Sequence, residues 1–192
     1  MQKIKCSDVC NIIEYEKRRG ESHAHIIALK RSRRVTLGPK LSFLFENRDT
    51  VLHQVQEMMR AERIVDEDKV QDEIDVYNQL IPDENQLSAT MFIEIQDQVR
   101  IKEELDRFQG VDRPGRVYML VDGQRIECIF EAGRSKEDKI SAVQYVRFPF
   151  SPEQVEAFRA GREARLGVDH PGYRQEVILP EETRKSLAED FS

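Results

Sequence analysis

The chain has no tryptophan, three cysteines and no long apolar run. Each shortage excludes something. Nothing approaches the ~18 consecutive apolar residues that a membrane helix needs, so a spanning protein is not expected. Cys6, Cys10 and Cys128 are few and odd in number, which suits a reducing cytoplasm rather than a disulfide framework. They read best as small buried thiols. Cys6-x-x-x-Cys10 and His23-Ala24-His25 match no zinc-finger spacing. Basic residues at the N-terminus are not followed by an apolar segment or a small-residue cleavage site, so no secretion signal is expected and the localisation is read as cytoplasmic. There is no G-x-S-x-G, no P-loop and no G-x-G-x-x-G, so hydrolase and nucleotide-binding motifs are missing. No repeat, low-complexity tract or linker interrupts the chain.

What is present is a foldable, strongly charged sequence. At 192 residues and 39% hydrophobic it can bury a real core. The charged fraction, 34%, is above the usual quarter and calls for two-faced helices. A net charge of -6 argues against wholesale binding to nucleic acid or anionic lipid.

Periodicity then sets the elements. Ser7 or Asp8 can cap a short first helix, and a longer one runs from about Glu14 to Arg34, with Ile26, Ile27 and Leu29 as its apolar stripe and Gly20 as a potential break. Two strands surround Gly38-Pro39, ending at Glu46. A helix from about Arg48 and another from Asp66 follow, the second stopping before Pro82. Ser88 to Ile95 reads as a strand, and Ile101, Leu105 and Phe108 as one side of a helix stopped by Gly110. In VYMLV-DG-QRIECIF, Asp122-Gly123 marks a two-residue hairpin turn. Ile140 to Phe148 is a strand. Ser151, Pro152, Gln154 and Gly161 specify a complete helix. A strand at 174–179 and a helix at 180–190 close the chain. The fold expected is α+β: one domain over 1–192, with a helical N-terminal segment at 7–34, a strand-rich second half at 88–179, and a mainly antiparallel sheet with helices packed on one side.

Candidate functional residues gather at the strand-to-helix corner, Glu46, Asn47 and Arg48, and on the helix behind it. Val51, Leu52, Val55, Met58 and Met59 make one stripe, and Glu62 projects into it. A carboxylate there must reach solvent, pair with Arg48 or Arg147, or take up a proton. The opposite face carries His53, Glu57 and Arg60. His53 and Glu57 are four apart and could touch one metal ion, although a solvated polar face is the simpler reading. Lys17, Arg18 and Arg19, with Lys30, Arg31, Arg33 and Arg34, form a basic ridge along helix 17–34 that could meet RNA or an acidic protein. It lacks the aromatic interleaving of single-strand binders.

FLFENRDTVLHQVQEMMRAERI, QDEIDVYNQLIP, SAVQYVRFPFSPEQ and GVDHPGYRQEVILP together resemble a bacterial family known as domain of unknown function 3501. The resemblance runs over nearly the whole chain. It assigns no catalytic residue and no cofactor. Members are often encoded beside rubrerythrin-like proteins and an iron–sulfur oxidoreductase, which implies an accessory or interaction role in redox or peroxide handling with such partners. Two other readings stand beside it: a metal-dependent or small-molecule-binding enzyme with its site at 46–62, and RNA binding through helix 17–34.

Overall fold

Asn11 opens the first long element. Its side chain accepts from Glu14 N, and α1 (Ile12–Arg33) then runs unbroken through Gly20. The structure, a computed structural model, describes residues 1–132, 135–136 and 139–191. The short first helix expected near Ser7 is a single 3-10 turn, Cys6–Asp8. Of the expected α1 stripe only Ile26 is buried, while Ile27 is 57% exposed. The buried side of α1 is carried instead by Tyr15, Ile26 and Arg33.

β1 (Arg34–Leu37) and β2 (Leu41–Glu46) form the expected hairpin. All six residues of β2 are buried, because β1 and β3 (Gln86–Ile93) flank it. α2 (Arg48–Glu62) and α3 (Glu67–Asn78) lie between β2 and β3 in sequence, and Asp66 caps α3. With Ile4, they enclose a small core of Val51, Val55, Met59, Val70 and Ile74.

The second half departs from expectation in three places. The helix after β3 is short: α4 (Ile101–Asp106) spans six residues. The hairpin turn is as read, with Asp122 and Gly123 both at positive φ between β4 (Val117–Val121) and β5 (Gln124–Glu127). QRIECIF, however, is not one strand. It breaks at the buried Cys128, and β6 (Ile129–Phe130) crosses to pair with β9 (Val143–Pro149). The third departure is β10 (Ala164–His170), where no strand was expected. It is central in its sheet, between β4 and β11 (Tyr173–Ile178). Gly167 weakens the strand signal, but the glycine is required: a Cβ there would meet the Tyr118 ring at 2.3 Å across the strand pair.

The fold is α+β, and every strand pairing among the described residues is antiparallel. The strands divide into a five-stranded sheet, β1-β2-β3-β9-β6, and a four-stranded sheet, β11-β10-β4-β5, with a small ladder of β7 (Ser135–Lys136) and β8 (Lys139–Ile140). One large core joins the two main sheets. Tyr173 also links them by donating to Leu37 O at 2.6 Å and accepting from Lys40 N. α5 (Pro152–Arg159) has its Ser151–Gln154 capping box, and α6 (Glu181–Ala188) leads to a closing 3-10 turn. Phe191 in that turn packs on Phe150 and Phe158.

The end of α1 and the segment 186–190 are joined at Arg33, which is 1% exposed. It donates to the carbonyls of Phe45, Glu46 and Ser186 and pairs with the buried carboxylate of Asp190. Removing one partner of such a pair strands a charge in the interior. Asp190→Ala is therefore expected to lower unfolding free energy in urea by about 3–5 kcal/mol. A loss below ~1 kcal/mol would mean that water reaches Arg33.

Candidate functional site

Glu46 ends β2 at 1% exposure and needs donors for its oxygens. Thr50 Oγ1 donates at 2.6 Å, Thr90 Oγ1 at 2.7 Å and Gln54 Nε2 at 3.1 Å. Thr50 and Gln54 come from the first turns of α2, and Thr90 from the neighbouring strand. Asn47 and Thr50 close a reciprocal capping box, each side chain bonded to the other's backbone N–H at 3.0 Å. Arg48 reaches across to Asp8 at 2.8 Å. The corner therefore joins strand to helix with its polar atoms turned on one another.

Glu62 does not join this group. It is exposed in the last turn of α2, and Arg63 then ends the helix in the left-handed conformation, φ 55°, before the apolar stripe can enclose the acid. Neither expected cation pairs with it. Arg48 holds Asp8, and Arg147, on β9, donates to Gln79 O at 2.7 Å. The anomaly read in the sequence is an ordinary helix end.

The chemistry lies on the face expected to be solvated. α1 lies across α2, leaving His53 only 8% exposed and Tyr15 4%. Tyr15 and Arg19 are four apart on α1, as are His53 and Glu57 on α2, so two helical pairs meet face to face. Arg19 grips Glu57 through both carboxylate oxygens, at 2.8 and 3.0 Å. Tyr15 Oη donates to Glu57 Oε1 at 2.7 Å and lies 3.3 Å from His53 Nδ1. Arg60 sits between Glu57 and Glu16. The Arg19 guanidinium, more than any other neighbour, holds the Glu57 carboxyl down from its ordinary 4.5 to about 2. Burial pushes the Tyr15 phenol well above its ordinary 10, with Glu57 adding to the shift. Burial also pushes His53 below 6.5, reinforced by Lys30.

His53 and Glu57 thus meet on a tyrosine hydroxyl. No group of three or more His, Cys, Asp and Glu among the described residues is arranged to hold a metal ion. A cavity of about 290 Å³ opens beside His53, lined also by Cys10, Tyr15, Arg18, Ser22 and His25. A second, of about 370 Å³, shares Cys10 and is lined by Val9, Ile12, Ile64 and Val70. Cys10 is half-buried and Cys6 exposed, so only Cys128 is the buried thiol expected. The basic ridge is divided: Arg19 turns to Glu57, Arg33 to the interior, and Arg34 to Ser42 and the Phe92 ring. No helix among the described residues is long and apolar enough to cross a membrane.

Comparison with known proteins follows this geometry. A family model described as protein of unknown function (DUF3501) matches residues 3–191. The chain belongs to that family. The crystal structure of a novel protein of unknown function from Burkholderia pseudomallei is similar as well, 32% identical with a TM-score of 0.93 over 100% of both chains. No curated protein matches. Tyr15 was missing from the sequence-based candidates, and Arg19 figured there only as part of the basic ridge, not as a partner of Glu57. Their signal was the shared four-residue spacing, which gains meaning only when the two helices are known to cross.

Because the folded value of Glu57 is depressed, its contribution to stability is whole above the unfolded value near 4.5 and is lost as pH falls toward 2. Wild type is expected to lose more unfolding free energy than Glu57→Gln between about pH 4.5 and 2. Parallel urea-unfolding curves across that window would show that Arg19 and Glu57 are not coupled.

Proposed function

We propose that this protein is a non-enzymatic accessory protein that docks a partner on the uncovered face of α1. Supporting this is a single stripe, Ile13, Lys17, Gly20, Ala24, Ile27 and Arg31, every member of which is exposed. These residues follow one another at helical spacing and lie roughly opposite the buried stripe through Tyr15 and Ile26. The covered side of α1 carries Arg19 and Arg33 beside Tyr15 and Ile26, while Ile13, 72% exposed, and Ile27 face water.

Gly20 carries the reading furthest. A glycine inside a helix costs about 1 kcal/mol relative to alanine. Among the described residues, nothing beyond the helix's own backbone lies within 4 Å of where its Cβ would be, so packing among them does not require it. A close-approaching partner does. With Ala24 one turn on, it leaves a patch of small residues flanked by isoleucines and by Lys17 and Arg31, which suits an apolar helix with acidic margins. The partner class is that implied by the family's gene neighbourhood, a rubrerythrin-like or iron–sulfur protein of redox or peroxide handling.

The alternatives have less support. Glu46 and Asn47 are occupied in joining β2 to α2, and Arg48 in pairing with Asp8, so any small-molecule chemistry at 46–62 moves to the cavity beside His53. RNA binding along α1 loses Arg19, Arg33 and Arg34 to internal partners.

Gly20→Ala is expected to raise thermal stability, by roughly 2–4 °C for each kcal/mol gained. Gly20→Leu should fold but bind purified rubrerythrin-like or iron–sulfur protein at least about 10-fold more weakly, as read by calorimetric titration at low salt. Wild-type affinity in Gly20→Leu, or no binding of either protein class, overturns the reading.

A further inference from the structure

The cavity beside His53 holds a side chain whose protonation is set by its neighbours. Glu57 is clamped by Arg19 as a carboxylate and is the stronger acceptor for Tyr15, at 2.7 Å. A phenol has one proton to donate, and Glu57 takes it. The 3.3 Å contact between Tyr15 Oη and His53 Nδ1 must then run the other way, with Nδ1–H donating to the tyrosine oxygen. In a neutral imidazole that leaves Nε2 as a bare acceptor. Burial favours the neutral ring, as do the cations Lys30 and Arg19 and the His23 ring, against Glu57.

Nε2 has no hydrogen-bond partner among the described residues. Nor is it sealed away. The buried side-chain nitrogens and oxygens without a partner, among the described residues, are Arg48 Nε and Arg60 Nε. His53 lines the cavity, and the cavity's wall is braced. Gln56 accepts from Cys10 N at 2.8 Å and donates to Cys10 O at 3.1 Å, fixing the segment that faces the ring. An oriented acceptor, held by two supporting residues beside a small cavity, is the arrangement of a binding site rather than of a packing contact.

We propose that the cleft between α1 and α2 binds a small molecule carrying a protic group, a hydroxyl, thiol or amine, whose proton His53 Nε2 accepts in a hydrogen bond. At about 290 Å³ the cavity is at the lower end for ligand sites, so the molecule is metabolite-sized. Ser22, His25 and Arg18 offer further polar contacts at the rim. Tyr15 and Glu57 act through His53 as positioning residues. The site goes beyond the partner-docking reading and does not depend on it, since the docking stripe lies on the far side of α1.

The test uses the full chain with ¹⁵N-labelled histidine. At neutral pH the His53 spectrum is expected to show a protonated Nδ1 and an unprotonated Nε2. Ethylene glycol, 2-mercaptoethanol and ethanolamine are the probes. At least one should shift the Nε2 resonance saturably, and Tyr15→Phe, which frees the tautomer, should weaken that binding about 5- to 10-fold. A proton on Nε2 in the wild type, or no response to any probe, overturns the proposal. If Tyr15→Phe does not fold, the wild-type tautomer and titrations decide it.

Discussion

The guanidinium of Arg33 is the interaction on which the rest of the structure depends. It sits at the C-terminal end of α1, where a cation is favoured by the helix dipole, but it turns inward rather than out. Its donors reach the end of β2, the last turn of α6 and the Asp190 carboxylate. One side chain therefore fixes where α1 runs into the first sheet and holds the segment 186–190 over it. Arg rather than Lys suits the position, because its planar fork can satisfy several carbonyls and a carboxylate at once. Asp190 feels both sides of the arrangement. Burial raises its pKa to about 6 although Arg33 works to lower it.

With α1 anchored at Arg33, its other end must lie across α2. That placement buries Tyr15 and His53 and brings Arg19 to Glu57. It also leaves the stripe through Gly20 facing outward. The buried polar network and the exposed stripe thus come from one geometric fact. The face of α1 turned to α2 carries the hydrogen-bonding network with Tyr15 and Ile26, and Ile13 and Ile27 are left on the outer face. The Glu46 corner serves the same frame: its carboxylate joins β2, β3 and the start of α2 through hydroxyl and amide donors, and Asn47 begins the helix that α1 covers.

Much of the fold was legible because its signals are local. The Ser151–Gln154 box and the Asp122-Gly123 turn act within a few residues and appear where they were read, and the helices expected from about Arg48 and Asp66 begin there, capped by Asn47 and Asp66. The DUF3501 resemblance also spans nearly the whole chain. β10 was not legible, since Gly167 and Asp169 interrupt its apolar pattern. The reason for that glycine is Tyr118, on a strand that pairs with it across a long sequence gap. The break of QRIECIF at Cys128 was hidden for a similar reason, because which sheet a strand joins depends on its partners.

The sequence by itself determined the α+β class, the helix starts and turns, the absence of familiar catalytic motifs and the concentration of polar residues between 46 and 62. Tertiary structure decided which of those residues matter. Glu62, on the apolar stripe by projection, reaches water because the helix ends there. His53 and Glu57, on the polar face by projection, are covered because α1 crosses them. Arg33, one cation in the run KRSRR, is buried by an acid 157 residues away. Helical periodicity assigns a residue to a face. Only the packing of other elements decides whether that face meets solvent, and so whether a charge is hydrated or must be paired.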